Sequence, residues 1–406
     1  MNINWSNVKD LTLDGKSVKK LELDGQVVWE KKKVVYYEYC VNTASTRIDT
    51  GIAANNNTRL EFKLWSNNTD SFYSIGTRTG SSGSQLFSLT GSRNDQSVIF
   101  GIGYVSTRAQ NLTRTANGFT YSGWYQTNGD MTFSWYLKDE GTNTEYNGSN
   151  ISYTQSLANN NLHIFLFSNG FNDIIPTLRL YYVRIYQDGV LVRDFRPAKV
   201  NGVDGLYDEV SGQLYSTSNV AVGGNEIKYY DYLQNDGVAY IDTEIYGSGD
   251  ISTEFKFRNL GSANRFICGG TGNYTPVIVQ SNNWFNTRYT NVGDSIVTTI
   301  VLIQVDQNDH TIRFNFNNSI LWDGVEYASN LSIKNDTKTL YLFSSSGTQY
   351  TATARIYYCR IYDNGTLVRD YKPCLYNGEA GLWDLVEGKF YGNANNTGTL
   401  TVGNDE

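Results

Sequence analysis

Side chains able to act as nucleophiles or general bases are scarce in this chain. Its 406 residues include two histidines, His163 and His310, and four cysteines, Cys40, Cys268, Cys359 and Cys374. Much of the sequence is written twice. In a local alignment of the two copies His163 falls opposite Thr339 and His310 opposite Met131, so neither histidine is shared. Ser-His-Asp, Cys-His and His-based zinc chemistry are therefore not expected, and the chain is read as a non-enzyme. The cysteines form no Cys-x-x-Cys pair, and three stand where the other copy has Leu233, Val183 and Ala198. That pattern marks small core residues. Glycoside hydrolysis needs two carboxylates about 5 to 10 Å apart, and no Glu-x-Asp-x-x-Glu strand is present. Glu61 and Glu254 are expected to pair with Lys63 and Lys256 on the solvent face of one strand. Asp49 and Asp242 each precede a threonine in an early strand. A structural hydrogen bond is the first reading for both. Calcium is the only cofactor left open there, because it requires several converging oxygens that spacing alone does not supply.

Binding is the chemistry the composition does favour. Indole and phenol faces stack on the apolar faces of sugars, and Asn, Asp and Gln bond hydroxyls. Trp124, Tyr125, Trp284, Phe285 and Tyr289 lie in Gly-, Asn- and Ser-rich surroundings and are the candidates, with core packing as the competing reading of each. A net charge of −7 without a basic block argues against nucleic acid. No apolar run reaches the length of a membrane span or a signal-peptide core, so neither membrane insertion nor export by an amino-terminal signal is expected.

The elements that must position these residues are strands. Four prolines against 38 glycines and 31 tyrosines is an all-β composition rich in turns. Tyr181 to Tyr215 recurs at Tyr357 to Tyr391 with 19 of 35 positions identical. Each copy reads as a hairpin turning at Asp188-Gly189 or Asn364-Gly365, with Tyr181, Val183 and Ile185 on one face and Pro197 stopping the return strand. A two-residue turn would set Arg184 opposite Arg193, with Asp194, Asp208, Asp370 and Asp384 as the available counter-charges. A second match aligns Tyr37, Asp49 and Glu61 with Tyr230, Asp242 and Glu254 at an offset of 193, against 176 at the hairpin. The first copy thus has 17 extra residues, expected in loops of Thr77 to Thr127. Strands such as RLEFKLW, IRFNF and LYLF alternate throughout, which favours two-sheet sandwiches. Residues 34–225 and 226–406 are the two domains. Residues 1–33 form a separate unit of Asp-Gly hairpins followed by a solvated linker, Glu30 to Lys33.

The opening Tyr232 to Thr243 pattern (Tyr-x-x-x-x-Gly-x-x-Tyr-Ile-Asp-Thr) and the closing Arg-Ile-Tyr-x-x-Gly-x-Leu-Val-Arg-Asp-Phe/Tyr-x-Pro resemble laminin-G-like, concanavalin-type jelly rolls. Such jelly rolls are common in bacteriophage virion proteins and some bacterial surface proteins. The Leu-x-Leu-Asp-Gly-x-x-Val repeat before Lys33 is similar to short modules at the start of phage structural proteins. The resemblance implies two jelly rolls on a virion surface that bind bacterial or environmental glycans. It also implies attachment to other virion proteins through residues 1–33, homo-oligomerisation in the particle and assembly in the host cytoplasm. A decoration protein without a ligand and a glycan hydrolase of the same fold are the alternatives.

Overall fold

The computed structural model describes residues 11–13, 16–18, 20–23, 26–30, 32–67, 72–78, 85–91, 97–102, 105–109, 118–128, 132–151, 162–168, 177–247, 250–261, 265–270, 277–281, 284–290, 296–304, 306–315, 319–329, 339–344, 351–395 and 397–404. Every element of regular structure in them is a strand. The chain divides into two compact units, 1–226 and 227–406, and each contains an antiparallel jelly-roll sandwich.

In the first unit the larger sheet runs Thr144–Ile151, Thr132–Asp139, Phe119–Thr127, Thr58–Ser66, Leu178–Gln187. It then continues into both Val190–Val200 and Val34–Asn42. Facing it are Val105–Ala109, Val98–Ile102, Gln85–Gly91, Phe72–Arg78, His163–Leu166 and Ile48–Ala53, in that order. The second unit repeats the order with Val325–Ser329, Ser319–Trp322, Asp309–Asn315, Ile251–Asn259 and Ala354–Asp363. Strict alternation makes this possible. Thr58–Ser66 turns Leu60, Phe62 and Leu64 inward, each at most 1% exposed, and leaves Glu61, Lys63 and Trp65 outside. Leu60, Phe62 and Leu64 pack with Phe87, Leu89 and Phe100 of the opposite sheet in one core; Phe255, Phe257, Ile267 and Leu342 belong to the other. Each such side chain contributes roughly 1.5–3 kcal/mol by leaving water. All four cysteines are buried and unpaired, and burial pushes the Cys268 thiol up to about 12, so it is inert at neutral pH.

The register departs from the sequence reading in several places, each for a physical reason. A β-bulge between Ile185 and Tyr186 shifts the hairpin by one, so Arg184 faces Asp194 and Ile185 faces Arg193. The repeat does the same with Arg360 and Asp370. The like-charge apposition expected of an unbulged hairpin is thereby avoided. Pro197 does not end its strand, which runs from Val190 to Val200. It sits where one edge changes partner, from Leu178–Gln187 up to Phe195 to Val34–Asn42 from Ala198 onward, so its missing amide breaks no ladder there. Glu61 pairs with Arg59 at 2.8 Å, and Lys63 reaches Glu140 at 3.3 Å rather than Glu61. Trp124 lies opposite Glu61 and Arg313 opposite Glu254, an offset of 189, so only four of the 17 extra residues precede them. The rest lie between Trp124 and His163, beyond Thr127 for the most part. Leu11–Leu13 with Lys16–Val18 and Lys20–Leu23 with Gln26–Glu30 form two separate hairpins within the first unit. Within the linker Lys32 is tied down, donating to the Gly212 carbonyl at 2.7 Å, while Lys33 is exposed as expected, its amide and that of Asn201 engaging each other's residue.

Candidate functional site

A second bulge falls at the same place in both units. In the first, Leu180 pairs with Leu64 and Tyr182 with Lys63, leaving Tyr181 as the extra residue; in the second, Ile356 pairs with Phe257 and Tyr358 with Lys256, leaving Tyr357. A bulge re-aims the side chain it carries. Tyr181 therefore leaves the face shared by Val183 and Ile185, which are in the core, and joins the outer face of the larger sheet.

There it meets Tyr39 edge to face, ring centroids 6.0 Å apart and planes at 68°, as Tyr357 meets Tyr232 at 6.1 Å and 70°. Lys63 Nζ stands 5.3 Å from the Tyr181 ring and Lys256 Nζ 4.4 Å from Tyr357. The guanidinium of Arg179 lies 4.5 Å over Tyr39 and that of Arg355 3.9 Å over Tyr232. All eight side chains are half-buried. Each unit also seats the outer tyrosine on a glycine. A methyl group added at Gly223 would strike the Tyr39 ring, and one at Gly403 the Tyr232 ring. The rings are thus fixed before any ligand arrives, which lowers the ordering cost of binding. Burial raises the Tyr181 phenol, against the charge and hydrogen bond of Arg179, so it remains a neutral donor. Flat π faces beside phenol, ammonium and guanidinium donors form the kit that recognises sugar C–H faces and hydroxyls together.

Beyond this shared row the units diverge. In the first, Trp65 lies 4.2 Å from Arg179, and Arg59 lies 4.7 Å over Trp124. In the second, Arg258 occupies the Trp65 position and Arg313 that of Trp124. Arg258 and Lys256 share Asp309 at 2.6 and 2.8 Å.

Of the aromatics expected to bind, Trp124 is half-buried on the outer face, within a strand rather than a loop. Tyr125 is a correction. Alternation turns it inward, where it is 1% exposed and stacks on Phe87 at 4.4 Å, so its ring is core. Trp284, Phe285 and Tyr289 belong to the strand Trp284–Thr290, and their side chains lie outside the described residues. Asp49 accepts the Gly51 amide at 2.8 Å and Asp242 that of Glu244 at 2.9 Å. The following Thr50 and Thr243 bond the carbonyls of Ile164 and Leu340. Both aspartates therefore organise a turn. Among the described residues no three His, Cys, Asp or Glu side chains converge as a metal site would require.

His163 stands opposite Thr339 as aligned and bonds Asp49 at 2.9 Å. His310 does not match Met131. It pairs with Phe257 as Tyr121 pairs with Leu64, so Tyr121 is its counterpart. Its two nitrogens reach Asp323 and Asp306, both at 2.8 Å. Burial works against charge on this ring, but the two carboxylate hydrogen bonds outweigh it and raise the pKa above 6.5. A raised histidine stabilises the folded state below its ordinary value and loses that contribution as pH rises through the folded one. The second unit will accordingly lose stability as pH climbs from about 6.5, and His310→Gln will flatten that slope in urea melts taken across the range.

No protein-family model matches the chain, and a search of curated proteins found no match. Solved structures similar to it include domains LG4-5 of the mouse laminin α1 chain, at 11% identity and a TM-score of 0.26, with 82% of this chain and 91% of that one covered. The LG1-3 region of the laminin α2 chain matches at 10% identity and 0.28, covering 96% and 69%. A candidate carbohydrate-binding protein from Bacteroides ovatus matches at 11% and 0.32, covering 68% and 80%.

Proposed function

We propose that this protein binds carbohydrate through the two outer-face rows, Tyr39, Arg179, Tyr181 and Lys63 in the first unit and Tyr232, Arg355, Tyr357 and Lys256 in the second. One observation carries the reading. The bulge, the ring pair, both cations and the glycine seat recur at matching positions, although neighbouring outer-face residues differ between the copies. A merely solvated face has no need of a second identical ring geometry. The test is a glycan array probed with the full chain and with Tyr181→Ala/Tyr357→Ala. Binding that disappears in the double variant supports the rows; binding that survives unchanged refutes them.

The resemblance of the closing motif to phage jelly rolls supports a place on a virion surface, in several copies, with the amino-terminal hairpins as the attachment. Removing residues 1–31 keeps Lys32 and Lys33 on their partners in the first sandwich. This truncation will leave both sandwiches folded and glycan-competent while abolishing incorporation into particles. Incorporation at the normal level would refute the attachment role.

A further inference from the structure

The two rows do not offer the same chemistry, and the difference centres on Arg179. Its guanidinium is held between Trp65 at 4.2 Å and Tyr39 at 4.5 Å. Its Nε is buried without a hydrogen-bond partner, and among the described residues its side chain hydrogen-bonds Tyr181. No carboxylate among the described residues forms an ion pair with it. Its neighbours on the same face are neutralised: Arg59 by Glu61 at 2.8 Å and Lys63 by Glu140 at 3.3 Å. In the second unit Lys256 and Arg258 share Asp309, and Arg355 Nε donates to Gln234 at 3.0 Å. The residue opposite Arg179 on that flank is Val41, which has no such acceptor.

A guanidinium packed against two rings is partly stripped of water and keeps its donors in one plane, the geometry that suits a carboxylate or phosphate. We infer that the first row selects glycans bearing an anionic group, which Arg179 pairs edge-on, whereas the second row, where Gln234 already holds the matching Arg355 at Nε, discriminates less. This rests on the carbohydrate-binding reading above. Glu38 stands nearby, but its Oε1 is engaged by the Asn225 amide and side chain, both at 2.9 Å.

The test uses the full chain with one row disabled at a time. Tyr357→Ala leaves the first row, and Tyr181→Ala leaves the second. Each is titrated with uronate-, sialate- and phosphate-bearing oligosaccharides, every one beside its neutral counterpart, the methyl ester or the dephosphorylated sugar. Tyr357→Ala is expected to favour an acidic form by about 10- to 100-fold, the scale of one charge-assisted pair. Adding Arg179→Gln removes the preference, and Arg179→Lys, which keeps the charge but not the plane, restores only part of it. Tyr181→Ala shows a clearly smaller preference than Tyr357→Ala. Circular dichroism and thermal melting confirm that each variant folds. Equal affinity for acidic and neutral forms in Tyr357→Ala, or a preference that survives Arg179→Gln, overturns the inference and leaves the carbohydrate reading standing. Failure of the wild-type chain to bind any sugar, acidic or neutral, overturns both.

Discussion

Replacing Asp208 or Asp384 with alanine will unfold the carboxy-terminal hairpin of its unit and lower that unit's melting temperature by on the order of 10 °C. Both carboxylates are fully buried. Asp208 accepts the amides of Asp194, Val210 and Ser211 at 2.9 to 3.1 Å and the Ser211 hydroxyl at 2.6 Å. Asp384 accepts the amides of Asp370, Val386 and Glu387 at 2.9 to 3.3 Å. Arg193 and Arg369 approach them at 3.6 Å. Alanine leaves at least three amides without acceptors in a place water does not reach, a loss of about 3–5 kcal/mol. Each variant is expected to lower the transition of the unit that carries it. Unchanged transitions in both variants would mean that these aspartates are incidental to the fold.

The second large effect concerns binding. For a polymeric glycan that carries sugars acceptable to both rows and spans them, the second contact is intramolecular and overall avidity exceeds either affinity by about 10² to 10⁴. Disabling either row alone, by Tyr181→Ala or Tyr357→Ala, will therefore weaken binding to an immobilised polysaccharide about a hundredfold or more. Binding of a short oligosaccharide to the remaining row will be little changed. Biolayer interferometry on the polymer against titration with the oligomer separates the two. Equal losses on both would show one working site rather than two.

How much of this was legible in the sequence depended on which physical rule was in charge. The alternation of RLEFKLW gave the strand and its inner face directly, because burial of Leu60, Phe62 and Leu64 leaves no other register. The duplication is equally plain, since 19 of the 35 positions from Tyr181 to Tyr215 recur from Tyr357 to Tyr391. The bulges were not. Period-two reading put Tyr181 with Val183 and Ile185, and one extra residue in the strand moves it to the opposite face, where it completes the row. The same blindness set Arg184 against Arg193. The polar neighbours of Tyr125 suggest a loop and a surface ring, whereas the cross-strand register with Leu60 places it inside. The glycine seats under Tyr39 and Tyr232 join residues far apart in the chain, and no local pattern announces them.

The most direct measurement is sugar binding by the wild-type chain, by Tyr181→Ala, by Tyr357→Ala and by the double variant, all confirmed folded. Two rows predict that each single variant keeps the binding of one row and that the double variant keeps none. A double variant that binds glycan as the wild type does would contradict the assignment outright.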